Sequence, residues 1–377
     1  MKLLVLLAIL GCALAAPKPN FGLREAEACD ETVCKPPNCK CFNSSIPGGF
    51  EPSEVPQFVY LTFDDAVSTI NIDYYRQAFN GRKNPDGCPV QATYYISHEY
   101  TDYSLVNELY REGHEIALHS ITHTSSTDYW KTQTKEQLIA EFGGERKMMA
   151  HFANIPEDEI KGMRMPLLQL AGDNSFTAAQ EVGMNYDCSW PTSTRVWPYT
   201  LDYKSTQECS IPPCPTSSIP GFWVQPMVNL KDSQGTICSM VDACPNIKDD
   251  VDDVFNFLKS NFDRSYEGNR SPIGFYMHAA WFPRLPEHSF EGYLKFLDYL
   301  QTLDDVYIIG VERGLEWVRN PVKLGEQLWP SCQQPAEAPC KAKSCQLKKG
   351  EEERYMTQCL NSCPKVYPWL GNPLGEE

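Results

Sequence analysis

Apolar and polar positions follow two rhythms along most of this chain. Short runs rich in β-branched, aromatic and aliphatic residues, at 58–63, 92–96, 115–118, 162–165, 184–187, 221–224, 273–277 and 306–309, read as buried strands. Between them lie stretches with helical spacing, at 104–111, 135–149, 176–181, 250–261, 289–300 and 311–318, with Ser104 expected to cap the first. Strands alternating with helices predict a parallel sheet with crossover connections. Roughly seven such units favour an α/β barrel over an open sheet. The rhythm breaks at 191–220, where Pro, Ser and Thr crowd around Cys209 and Cys214, and a stapled loop is expected there.

The polar residues that interrupt these runs fall at strand C-termini, where a barrel gathers its chemistry. Asp64 and Asp65 end the first strand, His119 the third, Arg164 the fourth and His278 a later one. Neighbouring side chains on a strand point to opposite sides, so Asp64 and Asp65 are expected to fan apart. A metal ligand beside a general base needs that geometry, although a solvated turn would also fit it. His119 and His123 are four residues apart, which on a helical turn places both rings on one face. With a carboxylate from a neighbouring strand they complete a two-His, one-Asp set that leaves coordination positions open.

Composition narrows the partners. The chain has 377 residues, 42% hydrophobic and 12% aromatic, so a sizeable core is expected rather than disorder. Its net charge of -16 argues against nucleic acid, which needs a basic footprint. Lys2 and the apolar run that follows, with Ala13-Leu14-Ala15 as a cleavage site, read as a secretory signal peptide over 1–15. No later stretch predicts a membrane span. Sixteen cysteines fit an oxidising compartment, and loss of Cys12 with the signal leaves an odd number, so one thiol stays free or pairs with another chain. Cys29, Cys34, Cys39 and Cys41 form a stapled N-terminal segment over 16–50; a zinc knuckle is the alternative. The polar residues 331–377, with five cysteines from Cys332 to Cys363, form a disulfide-tied tail on a catalytic barrel spanning 51–330. Asn43 and, more weakly, Asn269 are glycosylation acceptors.

The motifs Thr62-Phe63-Asp64-Asp65, His119 to His123, Arg164-Met165-Pro166, Trp197 to Asp202 and Met277 to Trp281 together resemble the ordered motifs of carbohydrate esterase family 4. Within that family the chain is similar to the insect chitin deacetylases. The resemblance implies a distorted (β/α)7-like barrel and a divalent metal, zinc above all, held by Asp65, His119 and His123. It implies Asp64 as general base held by Arg164, and His278 as the acid that protonates the departing amine. The Leu167 main-chain N–H would stabilise the oxyanion, Trp197 would wall the acetyl pocket, and Asp202, or its rival Asp187, would orient His278. Many relatives carry an aromatic residue at the position of Leu167, but only its backbone is needed.

The expected function is therefore a secreted, monomeric chitin deacetylase acting on chitin or chitooligosaccharides, with the gut lumen or peritrophic matrix as a site of action. A non-catalytic chitin-binding matrix protein and a deacetylase of another acetylated polysaccharide, such as xylan or peptidoglycan, are the alternatives. Trp130, Trp223 and Trp281 either line a sugar cleft or fill the core.

Overall fold

A computed structural model describes residues 23–284, 288–332 and 339–376. The expected signal peptide lies outside them. Nine strands form the main sheet: β1 Gln57–Asp64, β2 Thr93–Ile96, β3 Glu115–Leu118, β4 Gly162–Met163, β5 Tyr186–Asp187, β6 Tyr199–Leu201, β7 Ile219–Val224, β8 Ile273–His278 and β9 Val306–Ile308. Their order is β8-β1-β2-β3-β4-β5-β7-β6, with β9 also paired to the start of β1. From β8 to β7 every neighbouring pair is parallel, as the strand–helix rhythm predicts. β6 returns antiparallel beside β7.

The barrel is distorted because this ladder does not close. β8 and β6 are its edges. A separate parallel pair, Pro191–Thr192 with Met227–Val228, stands beside β8, and the Tyr276 hydroxyl donates to Pro226 O at 3.3 Å. The 191–220 stretch is thus not only a loop stapled by Cys209–Cys214: it supplies β6 and half of this small ladder.

Period-two alternation along β1 divides the core. Val59, Leu61 and Phe63 face the outer helices, where Phe63 packs 4.7 Å from Tyr75. Phe58 and Tyr60 face inward, in a second cluster with Tyr95, Tyr186 and Tyr276. The last helix, Val311–Arg319, closes the floor of this inner space: Trp317 lies 5.3 Å from Phe58 and stacks on Trp197 at 5.5 Å. Gly314 makes that approach possible, because a Cβ there would sit 1.9 Å from the Tyr60 hydroxyl.

Helix ends differ from expectation in two places. Helix Tyr103–Arg111 is capped by Asp102, not Ser104: its carboxylate accepts the Ser104 N–H at 2.9 Å and the Leu105 N–H at 3.4 Å. The helix expected over 135–149 is three consecutive segments, Lys135–Leu138, a π turn Ile139–Gly143 and Gly144–Ala153. Trp130, Trp223 and Trp281 are all buried and belong to the core, not to a cleft.

Cys29–Cys41 and Cys34–Cys39 are disulfides, which removes the zinc-knuckle alternative. The tail is joined to the barrel by Cys88–Cys332 and folds into a hairpin, Lys343–Lys349 with Glu352–Gln358, tied by Cys340–Cys359 and Cys345–Cys363. Cys188 is the free thiol among the described residues, and it is buried.

Candidate active site

Parallel register brings the reactive residues to one rim. Asp64 and His278 are direct partners at the ends of β1 and β8. His119 follows β3 and Arg164 follows β4, whose last residues are also paired. The carboxylates do not fan to opposite sides as expected. Asp65 lies past the strand end with φ 77°, and this left-handed turn swings its carboxylate back toward the histidines. Asp65 Oδ1 is 3.3 Å from His123 Nε2 and 4.0 Å from His119 Nε2.

The two histidines also converge by a route other than the expected helical turn. Residues 119–123 are a loop in which Ser120 (φ 83°) and His123 (φ 41°) are left-handed. The rings lie 4.9 Å apart. His119 Nδ1–H donates to Arg164 O at 2.8 Å, which fixes the tautomer and leaves the Nε2 lone pair facing Asp65. Burial pushes the His119 pKa down to about 4 despite the charges of Asp64 and Asp65, so the ring stays neutral. One ligand atom from each of Asp65, His119 and His123 falls within 4.8 Å of the others. Two imidazole nitrogens and a carboxylate oxygen at this spacing fit a divalent ion such as zinc.

Arg164 is fully buried, which excludes an ordinary surface arginine. Its Nη1 donates to Asp64 and to Thr62 Oγ1 at 2.9 Å, and its Nε to Cys188 O at 2.7 Å. The guanidinium lies over the Tyr95 ring at 3.9 Å and the Tyr276 ring at 4.9 Å. Burial alone would raise the Asp64 pKa, yet Arg164, with His119 and His278, holds it below the usual carboxylate range. Asp64 Oδ2 stands 3.8 Å from His119 Nε2.

His278 has a different partner from those expected. Its Nδ1 lies 2.7 Å from Asp242 Oδ2, while its Nε2 faces Asp65 Oδ2 at 3.8 Å. Burial opposes the charged ring, but the Asp242 hydrogen bond, with the charges of Asp64, Asp242 and Asp65, raises its pKa to about 9. Asp202 is not there: its carboxylate accepts the Gly221 N–H at 3.0 Å. Asp187 is spent on Ser189, whose Oγ accepts the Met165 N–H at 2.7 Å and so braces the loop before Leu167. Asp242 sits in the short Cys238–Cys244 staple, with no periodicity or motif around it to single it out.

Leu167 holds φ 57° on the rim, with its side chain 44% exposed, and its N–H makes no hydrogen bond among the described residues. An N–H in that state is free to meet an oxyanion. Trp197 does not wall this site. It is fully buried on the floor against Trp317 and, through it, Phe58, six residues before Asp64 along β1 or ~20 Å away.

Comparison with known proteins identifies the family. Residues 53–186 match the polysaccharide deacetylase family model. Chitin deacetylase 8 of Bombyx mori is 43% identical over 384 residues, covering 100% of this chain and 98% of that protein. Chitin deacetylase 1 of the same organism is 38% identical over 380 residues, covering 93% of this chain and 69% of that one. Among solved structures, a probable polysaccharide deacetylase from Pseudomonas aeruginosa aligns with a TM-score of 0.47 at 12% identity, over 71% of this chain and 92% of that one. With relatives at this identity over nearly its whole length, the chain belongs to the polysaccharide deacetylase family of hydrolases.

Proposed function

We propose that this protein removes acetyl groups from chitin or chitooligosaccharides, leaving glucosamine units and acetate. Asp65, His119 and His123 would hold one divalent metal ion, with zinc favoured by the donor set. Such an ion polarises an acetamide carbonyl and lowers the pKa of a water. The remaining steps belong to the chain itself. Asp64, kept ionised by Arg164, takes a proton from the attacking water as its oxygen bonds to the carbonyl carbon. The Leu167 N–H stabilises the negative charge that develops on the carbonyl oxygen. His278, kept protonated by Asp242, gives the Nε2 proton to the amide nitrogen as the C–N bond breaks.

The observation that carries this reading is the pairing of two oppositely tuned proton carriers across one metal-fitting triad. Asp64 is held below its ordinary pKa and His278 above it, and both lie within 4 Å of a triad residue. A protein that only binds polysaccharide needs neither. Exposed Ile70, Tyr100 and Leu167 sit on loops that follow strand ends, which supports a polymer lying across the rim. Seven disulfides among the described residues support secretion, and action in a gut lumen or peritrophic matrix follows as part of this proposal. Acetate release from chitooligosaccharides, acetylated xylan and peptidoglycan, measured side by side before and after chelation, tests it. Chitooligosaccharides should be preferred and chelation should stop the reaction; faster turnover of xylan or peptidoglycan would overturn the substrate.

A further inference from the structure

Ser120 and His123 hold left-handed backbone without being glycine, a conformation that persists only where the surroundings impose it. Two carboxylates behind the loop do. Glu145, fully buried, accepts the Ser120 N–H at 2.6 Å. Glu141, 1% exposed, accepts the Thr122 N–H at 3.0 Å and the Thr122 hydroxyl at 2.7 Å. The Ser120 hydroxyl in turn accepts the His123 N–H at 3.1 Å, so three consecutive contacts fix the path between the two rings. Glu141 is itself held by the Tyr129 hydroxyl at 2.8 Å.

These acids are unusual for a merely structural brace. Neither forms an ion pair among the described residues, although burying an uncompensated carboxylate is expensive. Among the described residues Glu145 Oε1 is buried with no hydrogen-bond partner. Glu141 lies on the π turn Ile139–Gly143, a rare segment type that concentrates at functional sites.

We propose that Glu141 and Glu145 are positioning residues for the metal pair: by holding the amides of Ser120 and Thr122 they aim His119 Nε2 and His123 Nε2 at Asp65. This rests on the reading that Asp65, His119 and His123 hold a divalent ion. Loss of such outer partners lowers metal affinity by about 10–100-fold in comparable sites.

The test is zinc affinity of the purified full chain, measured by competition with a chromogenic chelator, together with the visible spectrum of the cobalt-loaded protein and the melting temperature of the metal-free protein. Glu141→Ala and Glu145→Ala should each weaken zinc by about 10-fold or more and alter the cobalt spectrum. Glu141→Gln and Glu145→Gln keep an oxygen acceptor and should recover most of the affinity. If an alanine variant does not fold, the glutamine pair and Thr122→Val carry the test. Thr122→Val removes only the hydroxyl donor and should weaken zinc less than loss of Glu141. Zinc affinity within about threefold of the parent in both alanine variants, where His123→Ala has lost zinc, would overturn the proposal. A parent protein that binds no zinc, or His123→Ala binding it as well as the parent, would defeat the metal assignment and the proposal with it.

Discussion

The two ends of the barrel are built from different materials. The floor is packed aromatic surface: Trp197 on Trp317, Trp317 on Phe58, and Tyr60 pressed against Gly314. The rim is polar and strained. Among the described residues, six of the eight non-glycine residues with positive φ are rim residues: Asp65, Tyr100, Ser120, His123, Leu167 and Leu168. Each such residue persists only where its surroundings over-determine it, and a rigid floor supplies surroundings that cannot yield. The strands therefore have stability at one end and chemistry at the other, and substitutions at the two ends should fail in different ways.

The sharpest break is at the rim. His123→Ala should bring acetate release from chitooligosaccharides below detection and strip the metal, because two protein ligands rarely retain a divalent ion. The variant should melt as the metal-free parent does, since His123 is partly exposed and carries no core packing. A melting temperature that falls with the activity would make His123 structural. Asp64→Asn comes next. Its amide oxygen still accepts from Arg164, so fold and metal content should survive while turnover falls by roughly 10²–10⁴-fold. If Asp64→Asn loses the metal and Asp65→Asn keeps it, the two acids exchange roles.

At the floor the expectation is reversed. Trp197→Ala opens a cavity under Trp317 and should cost about 3–5 kcal/mol of stability in denaturant titrations. Protein that remains folded should keep the parent's kcat and KM, because the ring lies on the floor against Trp317 and not at the rim. A raised KM with unchanged stability would return Trp197 to the substrate.

Strand–helix rhythm made the eight parallel strands legible, because burial on both faces leaves near-continuous apolar runs. The rim residues Asp64, Asp65, His119, Arg164 and His278 were legible for a related reason: each interrupts or ends such a run. What the rhythm cannot carry is backbone that leaves the regular regions. The left-handed turns at Asp65, Ser120 and His123 decide how the metal-fitting groups meet, and no spacing rule encodes them. Asp242 reaches His278 from a stapled loop that adjoins none of the strands read from the sequence, so motif order pointed instead to Asp202 and Asp187. Trp197 shows the opposite failure: its motif points to the pocket, whereas stacking on Trp317 within the inner cluster puts it on the floor.

Asp242→Asn sharpens the comparison within the rim. It removes the charge that keeps His278 protonated while leaving an oxygen to accept from Nδ1–H. Turnover of chitooligosaccharides should fall by about 10-fold, less than the roughly 10²–10⁴-fold a general acid contributes, because His278 itself remains. An activated aryl acetate, whose leaving group needs no proton, should be hurt much less. Equal losses on both substrates would mean that Asp242 supports binding rather than proton delivery.

The smallest effect lies where the tail meets the barrel, at His98. Its Nδ1 is 2.7 Å from the Tyr103 hydroxyl and its Nε2 is 2.9 Å from Pro368 O, so the neutral ring is satisfied by donating to the carbonyl and accepting from the phenol. Burial lowers its pKa to about 4, although the carbonyl pulls the other way. In the unfolded chain the ring titrates near 6.5. Between those values the unfolded state binds more protons, so stability rises with pH across that window. The contribution, about 3 kcal/mol, is complete above about 6.5 and is lost as pH falls toward 4. His98→Gln removes the titration while keeping a donor and an acceptor. Denaturant midpoints at pH 4.5 and 7.5 should therefore differ less in the variant than in the parent, by about 1–3 kcal/mol. Any acid sensitivity that remains falls partly to His114, which burial also lowers to about 4. An unchanged pH dependence in His98→Gln would mean that the tail's contact with the barrel does not titrate through this ring.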